Sequence, residues 1–138
     1  MKFQRKATAN WTGSGKEGTG KLSTDSSVLD NTEYSFNTRF EGGDGTNPEE
    51  LIGAAHSGCF TMQLSFLLDE EGFNEKELNT EAQVSFEDGS ITNVHLELVG
   101  TVQGIDKSKF EEIANKAKEM CPISKLMNTD ISLSATLK

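Results

Sequence analysis

Hydrophobic and polar positions change their period along the chain and divide it into three stretches. Residues 1–46 carry short alternating runs: Phe3, then Lys6-Ala7-Thr8-Ala9-Asn10-Trp11, then Tyr34-Ser35-Phe36-Asn37-Thr38-Arg39-Phe40, with Gly13, Gly15, Gly18 and Gly20 between them. A period of two broken by glycines predicts a β-meander. Residues 47–72 predict a helix. Asn47 is a good N-cap, Pro48 suits the first turn, Glu50 stands three residues past the cap, and Gly72 sits where a helix would end. Its apolar positions, among them Leu51, Ile52, Ala55, Cys59, Phe60, Met62, Leu64, Phe66 and Leu68, go most of the way around. That predicts burial on several sides.

Residues 80–103 return to strand character in Ala82-Gln83-Val84-Ser85-Phe86 and Val94-His95-Leu96-Glu97-Leu98-Val99. A second helix begins near Asp106, where Ile105 and Phe110 are spaced as a hydrophobic staple. Ile113, Ala114, Ala117 and Met120 continue its apolar face. Pro122 must interrupt it, because proline lacks the donor and clashes with the preceding turn. A short helix from Pro122 to Met127 and a last strand, Ile131 to Leu137, complete the pattern. The order β-β-β, α, β-β, α, β fits an α+β architecture better than a βαβ alternation. There is no repeat or low-complexity tract, and 138 residues suit one domain spanning 1–138.

Charge excludes some partners. The formal charge of −9 repels phosphate backbones and anionic membrane surfaces, so neither a nucleic acid nor a membrane is expected as partner. The N-terminus, Met1 to Lys6, leads into polar sequence without an apolar leader core, and the apolar stretches are read as too interrupted to span a bilayer. Both features predict a cytoplasmic protein. A hydrophobic fraction of 34% gives a lone chain a limited core, a hint that a partner subunit covers further apolar surface.

Two apparent motifs fail on context. Gly13-Ser14-Gly15-Lys16-Glu17-Gly18 matches a dinucleotide fingerprint, and Gly15 to Lys21 a phosphate loop. Both need a helix directly behind the loop. Here Lys21-Leu22-Ser23-Thr24 alternates like a strand, so the glycines are read as hairpin turns. His56 and Cys59 share a helix face and have metal-ligand spacing, with Cys121 or His95 as further candidates. The paired cysteines that make zinc signatures specific are absent.

The chain has two cysteines. In a cytoplasmic protein these are buried hydrophobes, metal ligands or redox groups rather than a permanent structural bridge. Cys59, in the middle of an apolar helix, is on its own a small core residue. Cys121, directly before Pro122 at a helix break, is placed to cap the following turn, where backbone donors favour a thiolate. Arg5 and Arg39 are the two arginines among 13 basic residues. Arg39 lies just before the Gly42-Gly43-Asp44-Gly45 loop; a guanidinium there can hold a thiolate and a carboxylate together, or simply be a surface charge on an edge strand.

Taken as a whole, Asn37-Thr38-Arg39-Phe40-Glu41-Gly42 followed by Gly45-Thr46-Asn47-Pro48-Glu49-Glu50-Leu51-Ile52-Gly53-Ala54-Ala55-His56-Ser57-Gly58-Cys59-Phe60 resembles the OsmC family of stress-induced peroxidases. Cys121-Pro122-Ile123-Ser124-Lys125 resembles that family's second cysteine motif, and the resemblance covers essentially the whole chain. The sister group, the organic hydroperoxide resistance proteins, usually has an aromatic residue where His56 stands and carries its reactive arginine elsewhere. The resemblance implies an OsmC-like fold, with antiparallel and mixed sheets wrapped around a long buried central helix in an intertwined homodimer.

It also implies a thiol-dependent peroxidase acting mainly on organic hydroperoxides. Cys59 would be the peroxidatic cysteine, Cys121 the resolving one, and Arg39 with Glu49 the activating pair. No resident cofactor or metal is implied. The reductant would be an external dithiol, of lipoyl type by the resemblance, or a small thiol. The rival reading is a redox-sensing or thiol-binding stress protein that uses the same cysteines stoichiometrically. Glu49 and Cys59 are ten residues apart on one helix, about 15 Å at ~1.5 Å per residue, so one straight helix cannot bring both to one site. If both serve one site, Glu49 must come from the other subunit, which predicts a C₂ homodimer with composite sites.

Overall fold

The computed structural model describes residues 1–138, and the chain forms two compact units, Met1–Leu51 and Ile52–Lys138. In the first unit, strands β1 (Ala7–Thr12), β2 (Thr19–Thr24) and β3 (Thr32–Tyr34) form an antiparallel sheet in the order β1-β2-β3. The glycine run makes the β1–β2 turn, as its context required. A Cβ on Gly18 would lie 2.5 Å from the carbonyl oxygens of Ser14 and Thr12, so only glycine fits where this turn closes.

The run Tyr34 to Phe40, expected as strand, divides. β3 stops at Tyr34, and Phe36–Phe40 form a short helix, α1. The cause is a capping box: the Ser35 side chain accepts from the Thr38 backbone N–H at 3.2 Å, and the Thr38 hydroxyl accepts from the Ser35 N–H at 2.8 Å. This reciprocal pair prevails over the alternating pattern, and the Phe36 and Phe40 rings then meet at 5.0 Å between centroids. Arg39 therefore stands in the last turn of a helix, not on an edge strand.

Helix α2 runs from Pro48 to Glu70. It begins as expected, with the Asn47 side chain accepting from the Glu50 N–H at 2.8 Å, and Gly72 follows its end with φ 88°. With 23 residues, and a mean hydropathy of 1.3 over its most apolar 18-residue stretch, it is long and apolar enough to cross a membrane on those two grounds, contrary to the reading of its apolar run as too interrupted. Phe60, Leu64, Leu67 and Leu68 nevertheless belong to the core of the second unit. Burial is one-sided rather than all round: Met62 and Phe66 are 61% and 57% exposed.

The second unit holds β4 (Lys76–Glu87), β5 (Ser90–Val102), α3 (Lys107–Met120), α4 (Pro122–Leu126) and β6 (Asp130–Leu137). β4 and β5 are joined by Asp88-Gly89, both at positive φ, the arrangement a tight two-residue hairpin turn demands. β5 pairs with β6 in parallel, a geometry that requires a long crossover, which α3 and α4 supply. Val94, Leu96, Leu98 and Val102 point from β5 into a core shared with α2 and with Phe110, Ile113, Ala114, Ala117 and Cys121. Gly100 completes that face of β5, because a Cβ there would sit 2.6 Å from the Phe110 ring. Asp106 caps α3, its side chain accepting from the Lys109 N–H at 2.8 Å, and Ile105 packs against the core.

Candidate active site

The four residues singled out by sequence come together as two pairs, one in each unit. In the first unit, the end of α1 and the start of α2 bring Arg39 to Glu49. The Arg39 Nε donates to both carboxylate oxygens at 3.1 Å, and Nη2 donates to Oε1 at 2.6 Å. This fork-to-carboxylate geometry fixes the guanidinium plane. The hydrogen bonds hold Arg39 above its ordinary range and pull the Glu49 carboxyl below its own, so both stay ionised. Glu49 thus pairs with the arginine of its own chain, a contact that spacing along α2 alone did not show.

In the second unit, the Cys121 sulfur lies 2.8 Å from that of Cys59. Both are free thiols; Cys121 is fully buried and Cys59 partly so. Cys59 comes from the middle of α2. Cys121 is placed by the break between α3 and α4: its backbone N–H closes α3 on the Ala117 carbonyl at 2.9 Å, and Pro122 opens α4. Cys121 stands at the N-cap of α4, as expected, and its carbonyl accepts from the Lys125 N–H at 3.0 Å, but its side chain makes no capping bond. A backbone amide of that first turn acts on the other sulfur: the Ile123 N–H favours the Cys59 thiolate. Burial and the Cys121 contact act more strongly and push the Cys59 thiol up. Within one chain, then, Cys59 is placed for sulfur chemistry but not ionised for it.

One turn from this contact, His56 Nε2 meets Ser124 Oγ at 2.8 Å. His56 is fully buried and its Nδ1 has no partner, and burial pulls the imidazole pKa down. Ser124 and the Ile123 amide received no role from the sequence, although both stand in the Cys121–Lys125 motif. Ser124 stands three residues after Cys121, as His56 stands three before Cys59. His95, the other metal candidate, instead bonds Ser132 at 2.7 Å and Glu97 at 3.2 Å on the second sheet. No group of three or more His, Cys, Asp or Glu side chains gathers as metal ligands.

Two contacting thiols, one on a long core helix and one at a proline-started turn, define a thiol-redox protein. Comparison with known proteins agrees with this class and narrows it: the profile described as OsmC-like protein matches residues 41–136, and the chain belongs to the OsmC family. It is 46% identical over 142 aligned positions to peroxiredoxin OsmC of Escherichia coli K12, covering 100% of this chain and 99% of that protein. It is 33% identical to the organic hydroperoxide resistance protein OhrB of Bacillus subtilis 168, over 86% of this chain and 89% of that one. The crystal structure of Bacillus subtilis OhrB superposes with a TM-score of 0.68 at 28% identity, covering 99% and 98% of the two chains.

Proposed function

We propose that this protein is a thiol-dependent peroxidase that reduces organic hydroperoxides through Cys59 and Cys121. The observation that carries the reading is the 2.8 Å contact between two free sulfurs in a chain of this family. The Cys59 thiolate attacks the terminal oxygen of the hydroperoxide. An S–O bond forms, the O–O bond breaks, and the released alkoxide takes a proton to leave as alcohol. Cys59 is then a sulfenic acid. Cys121 attacks that sulfur, a disulfide forms, and hydroxide departs as water with the Cys121 proton. An external dithiol reduces the disulfide and is itself oxidised. That recycling fits a reducing cytoplasm, and a dithiol of lipoyl type is the donor this reading favours.

The raised pKa of Cys59 within one chain calls for an activating group, and Arg39 is the cation suited to it. Since Glu49 and Cys59 stand about 15 Å apart along α2, the Arg39–Glu49 pair acts on each Cys59 from the opposite subunit of a homodimer. Exposed Met62 and Phe66 on α2, and a strand β1 exposed along its whole length, supply apolar and backbone surface for such a partner. The same apolar side chains favour greasy peroxides over hydrogen peroxide. Steady-state consumption of cumene-type, fatty-acid and hydrogen peroxides with a dithiol tests the reading. The organic peroxides should turn over fastest, and Cys59→Ser should abolish turnover. Multiple turnovers by Cys59→Ser, or none by the native protein with any peroxide and dithiol, would end it.

A further inference from the structure

The peroxide chemistry leaves one buried polar group unused. His56 is completely enclosed, yet its Nδ1 finds no partner, and an apolar side chain of similar volume would fill the space without an orphaned nitrogen. What histidine adds is the 2.8 Å bond from Nε2 to Ser124 Oγ. That bond has a definite place relative to the sulfurs. On α2, His56 lies one turn before Cys59; on the Cys121–α4 segment, Ser124 lies one turn after Cys121. The two segments are therefore joined by two rungs running in opposite chain directions, sulfur to sulfur and imidazole to hydroxyl.

The rungs are not equivalent during turnover. When Cys59 becomes a sulfenic acid, an oxygen is added to the sulfur that touches Cys121. The sulfur rung is lost when Cys121 is most needed, because a second peroxide competes for the same sulfenic acid. α4 has only five residues, too few to be held by its own helical hydrogen bonds. We infer that His56 and Ser124 form a positioning latch that keeps α4 against α2 while Cys59 is oxidised, so that Cys121 closes the disulfide before over-oxidation. The latch rests on the peroxidase reading. It works with a neutral imidazole, whose bond to a hydroxyl can be made in either tautomer.

The test is a partition. Native protein, Ser124→Ala, His56→Leu and His56→Gln are each cycled with cumene hydroperoxide and a dithiol. The share of Cys59 that gains two oxygens per turnover is read by intact mass, and the rate of the first attack by a single-turnover measurement. Ser124→Ala and His56→Leu should raise the over-oxidised share on the order of tenfold, while first attack changes far less. His56→Gln, whose amide can still reach the Ser124 hydroxyl, should stay near native. An unchanged share in Ser124→Ala overturns the latch, as does a first attack that slows by the same factor as resolution, or a His56→Gln that behaves like His56→Leu. If His56→Leu does not fold, Ser124→Ala decides. Native protein that makes no first attack would remove the peroxidase reading itself, an outcome distinct from any of these.

Discussion

At the scale of single residues, chemistry is divided between a thiol that is placed but not ionised and a cation that is ionised but placed by a carboxylate. Burial pushes Cys59 up, whereas the bidentate bond to Glu49 keeps Arg39 flat and charged. If the guanidinium activates Cys59, Arg39→Lys loses the planar fork and leaves the thiol with its raised pKa. The first attack should then slow at least about tenfold near neutral pH. The loss should recover as pH rises, because alkali ionises the thiol without help. A pH–rate profile checks this, and a loss equal at every pH would show that Arg39 acts otherwise. The long motif around Cys59 made these residues legible. It did not show that Arg39 and Glu49 meet within one chain, because their contact depends on α1, which alternation disguised as strand.

At the scale of elements, hydrophobic period and helix signals together carried most of the architecture. The Asn47 and Asp106 caps, the break at Pro122 and the last strand lie where periodicity, capping and proline chemistry put them. The exception at Phe36–Phe40 has a local cause, the Ser35–Thr38 capping box, which binary pattern does not register. Strand β5 shows an element tuned to its neighbour. Gly100 stands in a row of buried Val and Leu because Phe110 of α3 occupies the space a methyl would take. Gly100→Ala should therefore destabilise the protein by about 1–3 kcal/mol through overpacking. Adding Phe110→Leu should make the double variant less unstable than the sum of the two singles. Denaturant unfolding of the four proteins measures the coupling, and strict additivity would contradict it.

For the whole molecule, what one chain leaves uncovered matters as much as what it buries. The sequence predicted a central helix buried on several sides; a single chain covers one face and leaves Met62 and Phe66 open. Periodicity reports that a face is apolar, not which chain covers it. If each Cys59 works with the Arg39–Glu49 pair of a second subunit, an inactive and an impaired variant should complement each other. Cys59→Ser and Arg39→Lys subunits, mixed and allowed to exchange, assemble some dimers in which one site is intact. Random pairing gives about a quarter of native turnover at pH 7, against none from Cys59→Ser and about a tenth or less from Arg39→Lys; no recovery in dimers shown to have exchanged would place both groups in one chain. The contact between the two sulfurs has a last consequence at this scale. Closing 2.8 Å to the roughly 2.05 Å of a disulfide takes a movement of less than about 1 Å. Oxidation at that contact therefore asks little displacement of α2 and of the Cys121–α4 segment within the second unit. A messenger must look different once it has received its signal, and so small a local change suits an agent that consumes peroxide better than one that reports it.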